Sequence, residues 1–116
     1  MPSEIEDIIL SSLMTNPEFA ERVLPYMKDS YFAQNAKHLF SIIQTHIDRY
    51  GSGPSRDQMV VEIDALGLHE HQHDGALDRL NDVVAANGSH DLAWLLDQAE
   101  KFIERERRHN FMVDWV

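Results

Sequence analysis

The sequence predicts an all-α protein, a compact bundle of about six helices that ends in a long C-terminal helix. Apolar residues recur three and four positions apart in successive segments of the 116-residue chain, and no segment alternates with the period of two that marks a strand. Short stretches containing glycine, proline or asparagine separate these segments, as expected for short connections between helices. The chain has no internal repeat or low-complexity tract that would indicate another architecture.

Composition narrows the possible functions. The chain is long enough for one domain with a hydrophobic core, and its formal charge of -10 repels phosphate backbones and anionic lipid headgroups, which disfavours a primary role in binding nucleic acid or membranes. Cysteine is absent, so neither a disulfide framework nor a thiolate zinc site is expected. The first residues lack the pattern of a signal peptide, and no apolar run approaches the roughly 20 residues of a membrane span. We therefore expect a cytoplasmic protein.

The N-terminal third predicts two helices and an aromatic connection. Ser3 and Glu6 form a capping box before an apolar face that should leave the first helix half buried. Asn16 and Pro17 open a short second helix, which Pro25 ends. The residues that make the first apolar face are Ile5, Ile8, Ile9 and Leu13. The aromatic connection, expected to fill the core, contains Tyr26, Met27, Tyr31 and Phe32.

The stretch from Ala36 to Leu66 is predicted to be the centre of the fold. It holds two amphipathic helices joined by a corner at residues 51–54, where Gly51 supplies a left-handed cap. Ser55 and Gln58 open the second helix as a capping box. The core-facing residues of the first helix are Ala36, Leu39, Phe40, Ile43, Ile47 and Tyr50, and those of the second are Met59, Val60, Ile63 and Leu66.

A histidine-rich segment follows. His69, Glu70 and His73 satisfy the pattern H-E-x-x-H, in which two histidines one helical turn apart bind zinc and the glutamate activates water. Because Gly67 and Gly75 flank the segment and no apolar helix supports it, we expect an exposed polar loop or frayed helix end without a structural zinc. A zinc-dependent hydrolase and adventitious binding of a transition metal remain the alternatives.

The last third predicts a short helix and the long final one. The short helix, with Leu77, Leu80, Val83 and Val84 on one face, ends at Asn87-Gly88. The final helix opens at Ser89 or His90, and its core face holds Leu92, Leu95, Leu96, Ala99, Phe102 and Ile103. The basic run from Arg105 to His109 follows acidic residues at helical spacing, which favours an ion-paired surface over a phosphate site.

Two further patterns bear on chemistry. His46, at the edge of the central stripe, is expected to be packed and hydrogen-bonded rather than a catalytic base. No glycine begins a phosphate-binding loop of the form G-x-x-x-x-G-K-[ST] or G-x-G-x-x-G. We therefore assign no catalytic, cofactor-binding or metal-binding residue.

The end of the chain predicts an interaction surface. At 100° per residue the core face of the final helix ends near Ile103, and the apolar residues beyond it fall on the opposite side. They need a partner other than the core, unless the last residues fray. The predicted interaction residues are Trp94, Phe111, Met112, Trp115 and Val116.

Several short patterns, in their order and spacing, resemble one family. They are Glu6 followed by Ile8-Ile9-Leu10 and Leu13-Met14, Asn16-Pro17 with Phe19, Tyr31-Phe32, His38 with Phe40 and Ile43, and Pro54 before the next helix. Together they cover most of the chain from Ser3 to about Arg108. The pattern resembles the N-terminal domain of replicative hexameric helicases similar to bacterial DnaB, in particular those of tailed phages.

This resemblance implies a non-catalytic helical collar domain over residues 1–108, with residues 109–116 beginning a linker helix or hairpin. Such a domain pairs with its copies within a hexamer, docks primase, has a helicase loader as a further partner, and acts in DNA replication in the host cytoplasm. The ATP-dependent motor would lie downstream, so the chain is expected to be a piece of a longer helicase or a stand-alone module of the same fold. The alternative is a small acidic phage or bacterial regulator of a nucleic-acid-binding protein.

Overall fold

Six α-helices and two short 3-10 turns make up the described part of the chain in the computed structural model. The model describes residues 4–86, 88 and 90–115, with side chains for all of these except 34 and 110–115. Within these residues there is no strand, which confirms the all-α class. The helices are α1 (Glu4–Thr15), α2 (Pro17–Val23), α3 (Gln34–Tyr50), α4 (Arg56–Ala65), α5 (Glu70–Ala85) and α6 (Leu92–Trp115), and the 3-10 turns span Leu24–Tyr26 and Asp29–Tyr31.

Local capping chemistry sets several helix boundaries as predicted. The Asn16 side chain accepts a hydrogen bond from the backbone N–H of Phe19 at 3.1 Å and opens α2. Ser55 Oγ accepts from the Gln58 N–H at 3.2 Å, and the Gln58 side chain accepts from the Ser55 N–H at 2.9 Å, which completes the capping box of α4. Gly51 ends α3 with a φ of +81°, a conformation in which a side chain is strained. The capping box predicted at Ser3 falls outside the described residues.

The first helix is buried on most of its surface. Residues 9–13 are all buried, and so are Glu6 and Asp7, whereas Ile5 and Ile8 are only partly buried. The prediction of a half-buried helix was therefore wrong. The reason is tertiary, because α2, α3, α5 and α6 all pack against α1.

The predicted core faces are largely confirmed, with corrections at their ends. The largest fully buried side chains include Phe19, Leu39, Phe40, Ile43, Met59, Ile63, Leu80, Val83 and Phe102. Phe32 stacks on Phe40 at 4.7 Å and meets Phe102 at 5.2 Å, so the aromatic connection does fill the core. Four residues predicted to face inward are exposed: Tyr26, Tyr50, Leu66 and Val84. Each lies in the last turn of its helix or just past its end.

The histidine-rich segment forms the exposed first turn of a helix, so of the two predicted alternatives the loop is wrong and the helix end is closer to the structure. His69 is the N-cap of α5, and the helix begins at Glu70 and continues through Gly75. A Cβ at Gly75 would lie 2.9 Å from the Asn35 side chain, so glycine marks a close approach to α3 rather than a break. The final helix begins at Leu92, two or three residues later than predicted.

Candidate interaction surfaces

The surface predicted on α6 is described only at its beginning. Trp94 is 41% exposed, and its ring stacks on His90 with centroids 5.1 Å apart. Leu95, Ala99 and Phe102 are buried. Backbone helix continues to Trp115. The side chains of Phe111, Met112 and Trp115, and all of Val116, lie outside the described residues, so the apolar end of this surface stays a prediction.

The basic run from Arg105 to His109 precedes the apolar end of α6 in the sequence. Its members Arg105, Arg107, Arg108 and His109 are all exposed. One turn earlier, Lys101 pairs with Asp97 at 3.2 Å, as predicted for an ion-paired helix. Arg105 Nε lies 3.7 Å from Glu106, and its guanidinium lies 5.9 Å from the Phe102 ring centroid. The exposed guanidinium groups therefore remain accessible to a partner.

A second surface, which the sequence did not reveal, lies between α3 and α4. Two adjoining depressions of about 500 and 180 Å³ share His46, Tyr50 and Glu62 and form what we call the α3–α4 groove. Its exposed apolar residues are Tyr50 (65%), Val61 (63%) and Leu66 (47%). The sequence interpretation missed it because the helical angles of Tyr50 and Leu66 assigned both residues to the core.

The floor and rim of the groove are held in place locally. His46 Nδ1 is 2.8 Å from the carbonyl oxygen of Ser52, and the His46 ring lies 4.7 Å from that of Tyr50. This confirms His46 as a packed, hydrogen-bonded residue. On the α4 side the groove is lined by Asp57 and Glu62, and no lysine or arginine lines the larger depression among the described residues. The larger depression therefore combines apolar side chains with an acidic rim on its α4 side, whereas Arg49 of α3 lines the smaller depression.

A buried charge cluster joins α1 to α5. Arg79 Nε donates to Asp7 at 2.7 Å and Nη2 donates to Glu6 at 2.9 Å, while the other Glu6 oxygen accepts from the Ala33 N–H at 3.3 Å. Burial raises the pKa of Asp7 despite the opposing hydrogen bond and charge of Arg79. Perturbed carboxylates of this kind also occur in active sites. Here the side chains of Glu6, Asp7 and Arg79 are 9 to 12% exposed and satisfy one another, so the cluster is structural.

The residues of the zinc-hydrolase alternative do not converge. His69 and Glu70 are exposed, whereas His73 is partly buried and its Nε2 lies 2.5 Å from an Asp64 oxygen. This contact raises the pKa of His73. In the described part of the chain, no three His, Asp or Glu side chains are placed to hold a metal ion.

None of the helices in the described residues is long and apolar enough to cross a membrane.

Comparison with known proteins adds one relationship. No family model matches the chain. The chain is 29% identical over 105 residues to a DnaB-like replicative helicase of Enterobacteria phage T4, an alignment that covers 90% of this chain. It spans only 22% of the length of that helicase. The chain is therefore similar to a limited part of a DnaB-like replicative helicase.

Proposed function

We propose that this chain is a non-catalytic protein-interaction domain of a phage-type replicative DNA helicase. In this role it is the N-terminal collar domain, associates with its own copies within a hexamer, and docks primase and a helicase loader. The observation that carries the proposal is the helicase similarity, which extends over 90% of this chain but reaches only 22% of the relative. A helical domain that is a small part of such an enzyme fits a role in assembly.

Its chemistry supports a role without catalysis. The sequence contains no G-x-x-x-x-G-K-[ST] loop to hold the phosphates of ATP. The carboxylates and the histidine with specific ionic partners are used within the fold, since Glu6 and Asp7 bind Arg79 and His73 contacts Asp64. We expect the purified chain neither to hydrolyse ATP nor to unwind DNA. Turnover that stays stoichiometric with the protein through repurification would refute this expectation.

Self-association through the end of α6 is the feature most directly open to test. The surface begins at exposed Trp94 and includes the apolar residues 111, 112, 115 and 116. Large apolar surfaces that include aromatic residues are usually covered by a partner. Sedimentation velocity of the intact chain should therefore show a dimer or larger species, and a chain ending at Arg108 should be a monomer.

Two substitution variants sharpen the test. Changing Phe111 and Trp115 to serine should abolish association without loss of helicity in the circular dichroism spectrum. Tyr26→Ser is the matched control, because Tyr26 is 62% exposed but lies outside this surface, and it should leave the sedimenting mass unchanged. Equal monomeric masses for the intact and shortened chains would refute self-association.

The helicase assignment has its own test in the gene. A reading frame that continues past Val116 into a G-x-x-x-x-G-K-[ST] loop is the expected result. A frame that continues without such a loop would refute the assignment. It would favour the small acidic regulator, which the formal charge of -10 also fits.

A further inference from the structure

The α3–α4 groove has the character of a docking site. Of six large apolar side chains that are exposed in the described residues, three lie along this one groove: Tyr50, Val61 and Leu66. Since scattered apolar residues are normal on protein surfaces, it is this clustering that needs an explanation. The groove follows α4, whose ten residues correspond to about 15 Å of helix.

Two carboxylates on the rim of the larger depression favour an occupant that carries positive charge. Asp57 has a side chain that is 97% exposed, and its nearest cation is Arg56 at 3.9 Å. Arg56 also donates to Asn81 at 3.2 Å, which directs it away from the groove. Glu62 is exposed five residues beyond Asp57, next to Val61 in the sequence. An apolar strip flanked by two accessible carboxylates fits a ligand that combines apolar and basic side chains.

The fold also selects the shape of the occupant. The described residues form no strand and hence no free sheet edge, so an extended peptide has no backbone hydrogen bonds to complete. A groove between two helices instead accepts the face of an amphipathic helix. The ligand is therefore a helix with basic and apolar residues close together.

The chain itself carries such a helix. Its 20 acidic residues outnumber ten lysines and arginines, yet four of those ten fall within residues 101–108 of α6. Arg105, Arg107 and Arg108 are exposed there, and the sequence continues into the apolar residues Phe111, Met112 and Trp115. Two copies with a charge of -10 repel each other, so the contact between them that is favoured is one that brings this run to an acidic surface.

We infer that the α3–α4 groove of one copy receives the C-terminal part of α6 from a second copy, with Arg105 and Arg108 opposite Asp57 and Glu62. The inference rests on the proposed self-association and names the surface that receives the helix. Within one chain α6 packs on α1 and α2, whereas the groove belongs to α3 and α4. The contact therefore joins two different surfaces, and successive contacts build a ring if they are not reciprocal and the rotation closes.

Charge reversal on each side of this contact tests the inference. The groove variant carries Asp57→Lys and Glu62→Lys, and the run variant carries Arg105→Glu and Arg108→Glu. In sedimentation velocity at low ionic strength, each variant alone should bind its own copies at least about tenfold more weakly than the unchanged chain. An equimolar mixture pairs the intact run of the groove variant with the intact groove of the run variant. The mixture should therefore regain association with the two variants alternating, because the reversed run of one variant also meets the reversed groove of the other.

Controls separate the contact from general charge effects. Glu21→Lys with Asp78→Lys makes the same change in net charge at exposed positions outside the groove, and it should not weaken association. If the lysine pair disturbs α4, Asp57→Asn with Glu62→Gln gives a milder version of the same test. A chain with all four charge reversals should regain association, because the signs on both sides are exchanged.

The outcomes distinguish the two proposals. Suppose that the groove variant associates like the unchanged chain while the chain ending at Arg108 stays monomeric. The inference about the groove is then overturned, and the proposed self-association stands. If the mixture regains no association although each variant is folded, the groove is likewise overturned. If the unchanged chain is monomeric at every concentration, both proposals are overturned.

Discussion

Replacing Arg79 by methionine should destabilise the fold by about 3–5 kcal/mol at pH 7, the range for removing one partner of a buried ion pair. The guanidinium makes charged hydrogen bonds of 2.7 and 2.9 Å to Asp7 and Glu6. Methionine fills the space of the side-chain stem but supplies neither bond. Two carboxylates that are only 9 and 12% exposed then lie side by side without their cation, which is why a large effect is expected.

The loss should shrink as the pH falls. Burial already raises the pKa of Asp7 above its ordinary value of 3.8, and the hydrogen bond and charge of Arg79 oppose that rise. Without Arg79 the pKa of Asp7 in the folded state rises further. A carboxyl whose pKa is higher folded than unfolded binds its proton more tightly in the fold, so the free energy of unfolding increases as the pH drops through the folded-state value. The pH range over which Asp7 changes the free energy of unfolding lies above pH 3.8, and it extends to a higher pH in the Arg79→Met variant.

Urea unfolding at pH 7 and pH 5 measures both effects. Arg22→Met is the matched control, because Arg22 pairs with Glu18 at 3.2 Å in an ion pair whose side chains are 57 and 60% exposed, and such pairs contribute about 0–1 kcal/mol. Adding Asp7→Asn to Arg79→Met should recover part of the loss by removing one buried carboxylate. Equal losses for the two arginine variants, or a deficit that does not change with pH, would refute the account of the cluster.

Three further predictions concern local features. Gly53→Ala should lower the free energy of unfolding by about 1–3 kcal/mol, because the added Cβ would overlap the backbone of α1. At Gly67 an added Cβ meets open space, so Gly67→Ala carries only the strain of its positive φ. Ser55→Ala should lower the free energy of unfolding by about 1 kcal/mol through loss of the cap of α4, measured in the same urea series. Asp64→Asn should return the pKa of His73 toward its ordinary value of 6.5, measured by NMR titration; an unchanged titration would contradict the assigned contact.

The features that sequence alone predicted are those decided by neighbouring residues. Asn16, Ser55 and Gly51 set helix boundaries through hydrogen bonds and dihedral angles within one turn, so their effect is readable from the order of residues. The core stripe of α3 is equally local, since helical geometry fixes which side chains share a face. The helical angle of a residue does not show how far along α3 the neighbouring helices extend. Tyr50 has a core-facing angle but is exposed for that reason.

The features that escaped depend on distant residues. The capping box that the sequence predicts for Glu6 involves Ser3, which lies outside the described residues, and no local pattern indicates that the Glu6 carboxylate accepts from Arg79, 73 positions away. The sequence indicates Gly75 only as one flank of a polar segment, whereas in the fold it allows α5 to pass close to Asn35. For the candidate site, periodicity predicts the apolar end of α6, whose side chains lie outside the described residues. The α3–α4 groove did not, because it requires knowing how two helices pack.

Stability and the proposed association are expected to depend on different parts of this molecule. The charge cluster lies between α1 and α5 and also holds the Ala33 N–H before α3, so it joins segments that are far apart in sequence. Those residues proposed to bind partners whose side chains are described, such as Asp57, Glu62 and Arg108, lie on the exposed sides of α4 and α6, where substitution removes little buried area. A change at Asp57 or Arg108 should therefore alter association without a matching change in unfolding free energy. A change at Arg79 should lower the folded population, and with it association, at every surface alike.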